Sequence, residues 1–305
     1  MGRLSRDKRD IFYRLAKQKG YRARSAFKLL QLDAEFRLFR GVHRAVDLCA
    51  APGSWSQVLA DKLFDVHNDG LFTENHIVAV DLQPMAPIDG VFSIKGDITS
   101  RETALEIIEH FRGNRAELVV CDGAPDVTGL HDIDEYLQSQ LLLSAMLITT
   151  HVLCQGGTMV AKIFRGSNID FLYAQLRLLF DRVSIAKPSS SRNSSMEAFV
   201  VCQSFKGDKY LDLPLDVAGY TSITNDLGDN SMDVGLDPSV VPFLACGDLS
   251  GWAVDGTVLD ADKSYPVDTD FIAPIAPPID PPYQASMLLQ RGKHEENSRP
   301  SNEVP

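Results

Sequence analysis

The chain has 305 residues, of which 44% are hydrophobic, enough for one large core or one core with a tail. No run approaches the ~20 apolar residues of a membrane span. The N-terminus has no apolar stretch of a secretory signal. The five cysteines are scattered without a C-x-x-C spacing, which argues against a disulfide framework and against a zinc site. The net charge of −11 is unevenly spread: residues 1–44 carry 13 Lys and Arg against 4 Asp and Glu, residues 45–205 carry 11 against 20, and residues 206–305 carry 6 against 17. A basic head on an acidic protein suggests contact with a polyanion, and the reduced thiols suggest a cytoplasmic (or also nuclear) protein.

In chain order, residues 7–37 read as two helices broken at Gly20, with basic residues interleaved among Phe12, Tyr13, Tyr21 and Phe27. From Arg44 to about Ser204 short β-rich runs alternate with helical ones. "RAVDLC", "HIVAVDL", "VFSIKGD", "AELVVCD" and "TMVAKIF" read as strands, followed by "RVSIAKP" and "EAFVVCQSF". Between them lie helical segments. "SRETALEIIEHFR" is capped by Ser100, and "DIDEYLQSQLLLSAMLITTHVL" is ended by Gly156-Gly157. Seven strands with interleaved helices predict an α/β, Rossmann-like, mostly parallel sheet. The linker "SSSRNSSM" is too short for a crossover, so the last two strands should be antiparallel, giving one reversed strand. The expected parts are a head of residues 1–43, an α/β domain of 44–205 and an acidic extension of 206–305. The extension holds 11 of the 16 prolines. It reads as partly disordered, but "VVPFLACGDLSGW" is apolar enough to dock on this chain or on a partner.

The segment "DLCAAPGSW" ends a strand and opens a helix. It lacks both the G-x-G-x-x-G of a dinucleotide site and the lysine of a phosphate loop. Its small residues and Gly53 let the backbone approach a ligand, and the helix N-terminus at Ser54 and Trp55 suits a carboxylate. Asp81 ends strand two, where an acid pairs with ribose hydroxyls, and Asp97 after strand three could accept from an adenine amino group. With Asp47 and Asp122, four aspartates at successive strand ends converge on the carboxyl edge of the sheet. Each alone would pass as a turn or cap residue.

"DLCAAPGSWSQVL", "GDIT", "DGAPDVTG", "AKIF" and "SSRNSSMEAF" together resemble the FtsJ-type RNA ribose 2′-O-methyltransferases. The opening "KRDIFYRLAKQKGYRARSAFKL" and the late "VPFLACGDLS", "SYPVD" and "PPIDPPYQ" are similar to the eukaryotic branch that methylates the tRNA anticodon loop. The resemblance implies S-adenosyl-L-methionine as cofactor, held by Gly53, Trp55, Asp81, Asp97 and Asp122, and no metal. It implies a catalytic tetrad of Lys28, Asp122, Lys162 and Glu197. It also implies tRNA nucleotides 32 and/or 34 as target and a WD-repeat or helical-repeat partner subunit that directs the position.

Methyl transfer to a ribose hydroxyl needs in-line placement and a proton acceptor. Lys162 can accept the proton only when neutral. Lys28 would favour that state, while Asp122 and Glu197 oppose it and orient the lysines. Arg22, Arg24, Lys28, Arg192 and Asn193 are the candidate RNA contacts. Three alternatives stay open: the same chemistry on ribosomal RNA or an mRNA cap, a non-catalytic RNA-binding scaffold, and a small-molecule methyltransferase.

Overall fold

The computed structural model describes residues 10–66, 76–125, 131–165, 169–207, 241–247 and 261–262. Its strands are β1 (Ala45–Leu48), β2 (Ile77–Asp81), β3 (Val91–Lys95), β4 (Ala116–Cys121), β5 (Leu153–Phe164), β6 (Phe180–Pro188), β7 (Glu197–Phe205) and β8 (Phe243–Cys246). They form one sheet in the order β3-β2-β1-β4-β5-β7-β6-β8. Among the described strands only β7 runs against the others. It is antiparallel to β6, as the short linker between them requires, and also to β5.

Among the described residues the sheet has eight strands, not seven. The eighth comes from the apolar part of the extension: Phe243–Cys246 pairs in parallel with Ile185–Pro188 and covers the β6 edge. The polyproline-like stretch and "SYPVD" lie outside the described residues.

The helices are α1 (Ile11–Gln18), α2 (Ala26–Phe36), α3 (Ser54–Val66), α4 (Arg101–His110), α5 (His131–Val152) and α6 (Ile169–Leu179). They cover both faces, and the strands alternate between them. Val46, Val119, Met159 and Val200 pack with α4, α5 and α6. Ala45, Val120, Val160 and Val201 pack with α1, α2 and α3. This period of two explains why β1 is buried at every position: a central parallel strand has no solvent face.

Two boundaries differ from expectation. The turn Tyr21–Ser25 separates the head helices, so α2 starts at Ala26. The long helix stops at Val152, before the glycines, because Leu153 already pairs with Ala116. The next matched pair is Leu118 with Thr158, so β5 bulges between them. Gly156 takes a φ of 80° there, and a Cβ on Gly157 would lie 2.6 Å from Leu153 Cδ1. These glycines serve the bulge, not a helix stop.

Candidate active site

The β1–α3 turn is built from backbone. Cys49 has a φ of 55° and Gly53 of 101°. A Cβ at Gly53 would sit 2.8 Å from both Arg22 Nη1 and Ile88 Cδ1, so glycine is needed for conformation and for space. Asp81 fixes the turn by accepting from Ala51 N through Oδ2 at 2.8 Å, while its Oδ1 accepts from Gln83 N at 2.8 Å. Asp97 is exposed, and its Oδ1 accepts from Thr99 N and Oγ1 at 2.9 and 2.8 Å. Asp47 is buried. Its Oδ2 accepts from Ser56 Oγ at 2.6 Å, and its Oδ1 has no hydrogen-bond partner. Burial pushes its carboxyl up to about 7, with Asp122 and Asp81 adding to the rise and Ser56 opposing it.

One expected cofactor residue, Trp55, and one expected RNA contact, Arg22, have buried side chains. The Trp55 indole is buried, donates from Nε1 to Ser25 O at 2.8 Å and packs on Phe199, which ties α3 to the head and the sheet. Only its main chain lies at the helix start. Arg22 is likewise buried rather than presented to RNA. Its guanidinium donates to Pro52 O, Ala86 O and Pro87 O at 2.8–2.9 Å and locks the turn to the loop after β2.

The tetrad is brought together by strand parity. Asp122, Lys162 and Glu197 lie two residues from Val120, Val160 and Phe199, which all face the layer of α1, α2 and α3. Lys28 comes from α2 in that layer. Lys28 Nζ donates to Glu197 Oε2 at 2.8 Å. Lys162 Nζ lies 2.8 Å from Asp122 Oδ1 and donates to the Asp122 carbonyl at 2.8 Å. Burial pushes Lys162 down, but Asp122 and Glu197 outweigh it, and the net shift is upward. Burial pushes Glu197 up, but Lys28, Lys162 and Ser191 hold it below the usual carboxylate range. The charged forms of Lys162 and Glu197 are therefore both favoured in the folded chain. Lys28, matched by Glu197, does not leave Lys162 neutral.

Arg24 and Arg192 both reach Asp10. Arg24 pairs with Asp10 Oδ2 and donates to Ser190 O, and Arg192 Nη2 donates to the same Oδ2 at 2.9 Å. Asn193 donates its main-chain N–H to Asp262 of the extension at 2.7 Å. Phe12, Tyr21 and Phe27 pack in the core.

Sequence reasoning missed Asp10, Ser191 and Gln138. Ser191 donates to Glu197 Oε1 at 2.8 Å. Gln138 is buried on α5 and donates to Gly123 O and Lys162 O. The helical spacing of Gln138 from Leu142 and Ala145 signals its burial, but not its partners.

Parallel strands with a single reversed partner, and a charged site at their carboxyl edge, define the class of Rossmann-like S-adenosylmethionine-dependent methyltransferases. A family model described as FtsJ-like methyltransferase matches residues 21–205, and the chain belongs to that family. It is similar to the human tRNA (cytidine(32)/guanosine(34)-2′-O)-methyltransferase, with 53% identity across 99% of this chain and 89% of that protein. The Schizosaccharomyces pombe protein described in the same words is 50% identical across 96% of this chain and 99% of its own. Among solved structures, a Plasmodium falciparum protein described as a ribosomal RNA methyltransferase superposes with a TM-score of 0.53 and 25% identity, over 62% of this chain and all of that one.

Proposed function

We propose that the protein methylates the ribose 2′-hydroxyl of tRNA anticodon-loop nucleotides 32 and/or 34, using S-adenosyl-L-methionine. The observation that carries this reading is the convergence of Lys28, Asp122, Lys162 and Glu197 on one sheet face as two ion pairs. Relatives named for that reaction align over nearly the whole chain, including the extension.

The residues at the edge fit the cofactor. The unpartnered Asp47 Oδ1 suits an ammonium, the α3 N-terminus a carboxylate, Asp81 ribose hydroxyls and Asp97 an amino group. When bound, the cofactor supplies an electrophilic methyl group on a sulfonium. Lys162 releases its own proton to solvent and then takes the 2′-hydroxyl proton at Nζ, with Asp122 fixing the direction of Nζ. Glu197, held by Ser191 and Lys28, keeps Lys28 pointed at the same side.

We infer further that residues 206–305 help capture a WD-repeat or helical-repeat subunit that chooses the nucleotide, in the cytoplasm. Pull-down on a chain truncated at 206 tests this: unchanged capture ends it. The central reading is tested by tritiated-methyl transfer to unmodified tRNA and, in parallel, to ribosomal RNA, with ribose-methylation mapping. Label at nucleotide 32 or 34 supports it. Label confined to ribosomal RNA overturns it.

A further inference from the structure

We propose that Gln138 is a positioning residue that fixes the spacing between the two strand ends carrying Asp122 and Lys162. The inference rests on the methyl-transfer reading above. The ladder between β4 and β5 stops at the pair Cys121 and Ala161. Asp122 and Lys162 are the first residues beyond it, where the paired ladder ends. Gln138 extends the tie between the two strands past that end. Its Nε2 donates to Gly123 O at 3.3 Å and to Lys162 O at 2.9 Å, so one nitrogen spans both segments.

Gln138 is 3% exposed and sits on α5. That helix packs on the face opposite the one from which Lys28 approaches, so Gln138 holds the backbone from behind the tetrad. Both of its partners are carbonyls, so the amide nitrogen must face them. Its Oε1 then turns away, buried and without a partner. An unmet buried acceptor is a net cost to the folded chain. A Leu or Met of similar volume would fill the space without that cost, so the advantage of the amide lies in its two donors.

The spacing matters because Lys162 Nζ makes both its contacts to one residue, the Asp122 carboxylate and the Asp122 carbonyl. Sliding either strand end changes both at once. Neither polar hydrogen of Gln138 can be supplied by an apolar side chain, and a shorter amide cannot reach both carbonyls.

The test compares the full chain with Gln138→Leu, which removes the donors, and Gln138→Asn, which keeps them on a shorter arm. The first measurement is the titration of Lys162 by NMR of ε-13C lysine, which needs no turnover. Asp122, Glu197 and Cys121 all raise Lys162 against its burial. Loosening the Asp122 contacts lowers its midpoint in both variants. The second is methyl transfer: kcat falls about 10- to 100-fold while cofactor Kd by calorimetry stays within about threefold. An unmoved Lys162 titration in a folded variant overturns the proposal, as does a kcat within about twofold of wild type. A wild-type chain that never methylates tRNA fails the reading above instead, and the titration still decides the role of Gln138.

Discussion

The cofactor turn and the tetrad share one edge of the sheet but are made of different materials. The turn from Cys49 to Gly53 is shaped by main-chain conformation, and its main-chain groups are held by the Arg22 guanidinium and one aspartate. The tetrad draws one charged side chain from each of four distant segments. A turn of this kind fails through strain and lost space. A charge cluster fails through a missing partner. Substitutions in the two regions should therefore separate binding from chemistry.

Lys162→Ala should have the largest effect, lowering kcat by about 10²–10⁴-fold with cofactor affinity nearly unchanged. Single-turnover methyl transfer and calorimetry on the same preparation check it. A variant that turns over like wild type removes Lys162 from the chemistry. The same assignment fixes a pH dependence. Because Lys162 is held charged, wild-type kcat should climb about tenfold per pH unit through the neutral and mildly alkaline range. A flat profile there breaks it.

Gly53→Ala comes next. The left-handed backbone and the overlap with Arg22 and Ile88 should together cost about 3 kcal/mol in chemical denaturation. Cofactor Kd should rise more than kcat falls. Equal losses in both would mean that the two regions are not separable.

Glu197→Gln sharpens the contrast on the stability side, at about 2 kcal/mol near neutral pH. The carboxyl of Glu197 is depressed in the folded chain, so its contribution exists above its unfolded pKa and disappears as pH falls through the folded value. The gap in Tm between wild type and E197Q should thus narrow in acid. A constant gap would show that the Lys28 pair is not its source. The smallest effect is expected for Asp262→Ala, at about 0.5–1 kcal/mol, since its bond to Asn193 is exposed. A kcat loss there as large as that of Lys162→Ala would make the extension part of the catalytic machinery.

The alternation of strand residues was legible in the sequence because burial on both faces leaves short β-rich runs between turn signals. The reversed β7 followed from one linker length. β8 was not legible as a strand, since Phe243–Cys246 is short and gains its partner only at the β6 edge. The bulge was hidden because Gly156-Gly157 carry the same local signal as a helix stop. Within the site, the aspartates at strand ends and the tetrad were readable from motifs. The burial of Trp55 and Arg22 was not. Both are residue types that serve ligands and cores alike, and only tertiary packing distinguishes the two.

Asp10 changes how this protein should meet its polyanion. One carboxylate oxygen serves both Arg24 of the head and Arg192 of the linker before β7. A phosphate arriving at either must displace an anion that the chain itself carries. Such contacts still release the cations condensed on the phosphate, but each also breaks an ion pair within the chain. Binding to tRNA should therefore be weaker than the number of its arginines would suggest, and Asp10→Asn should tighten it.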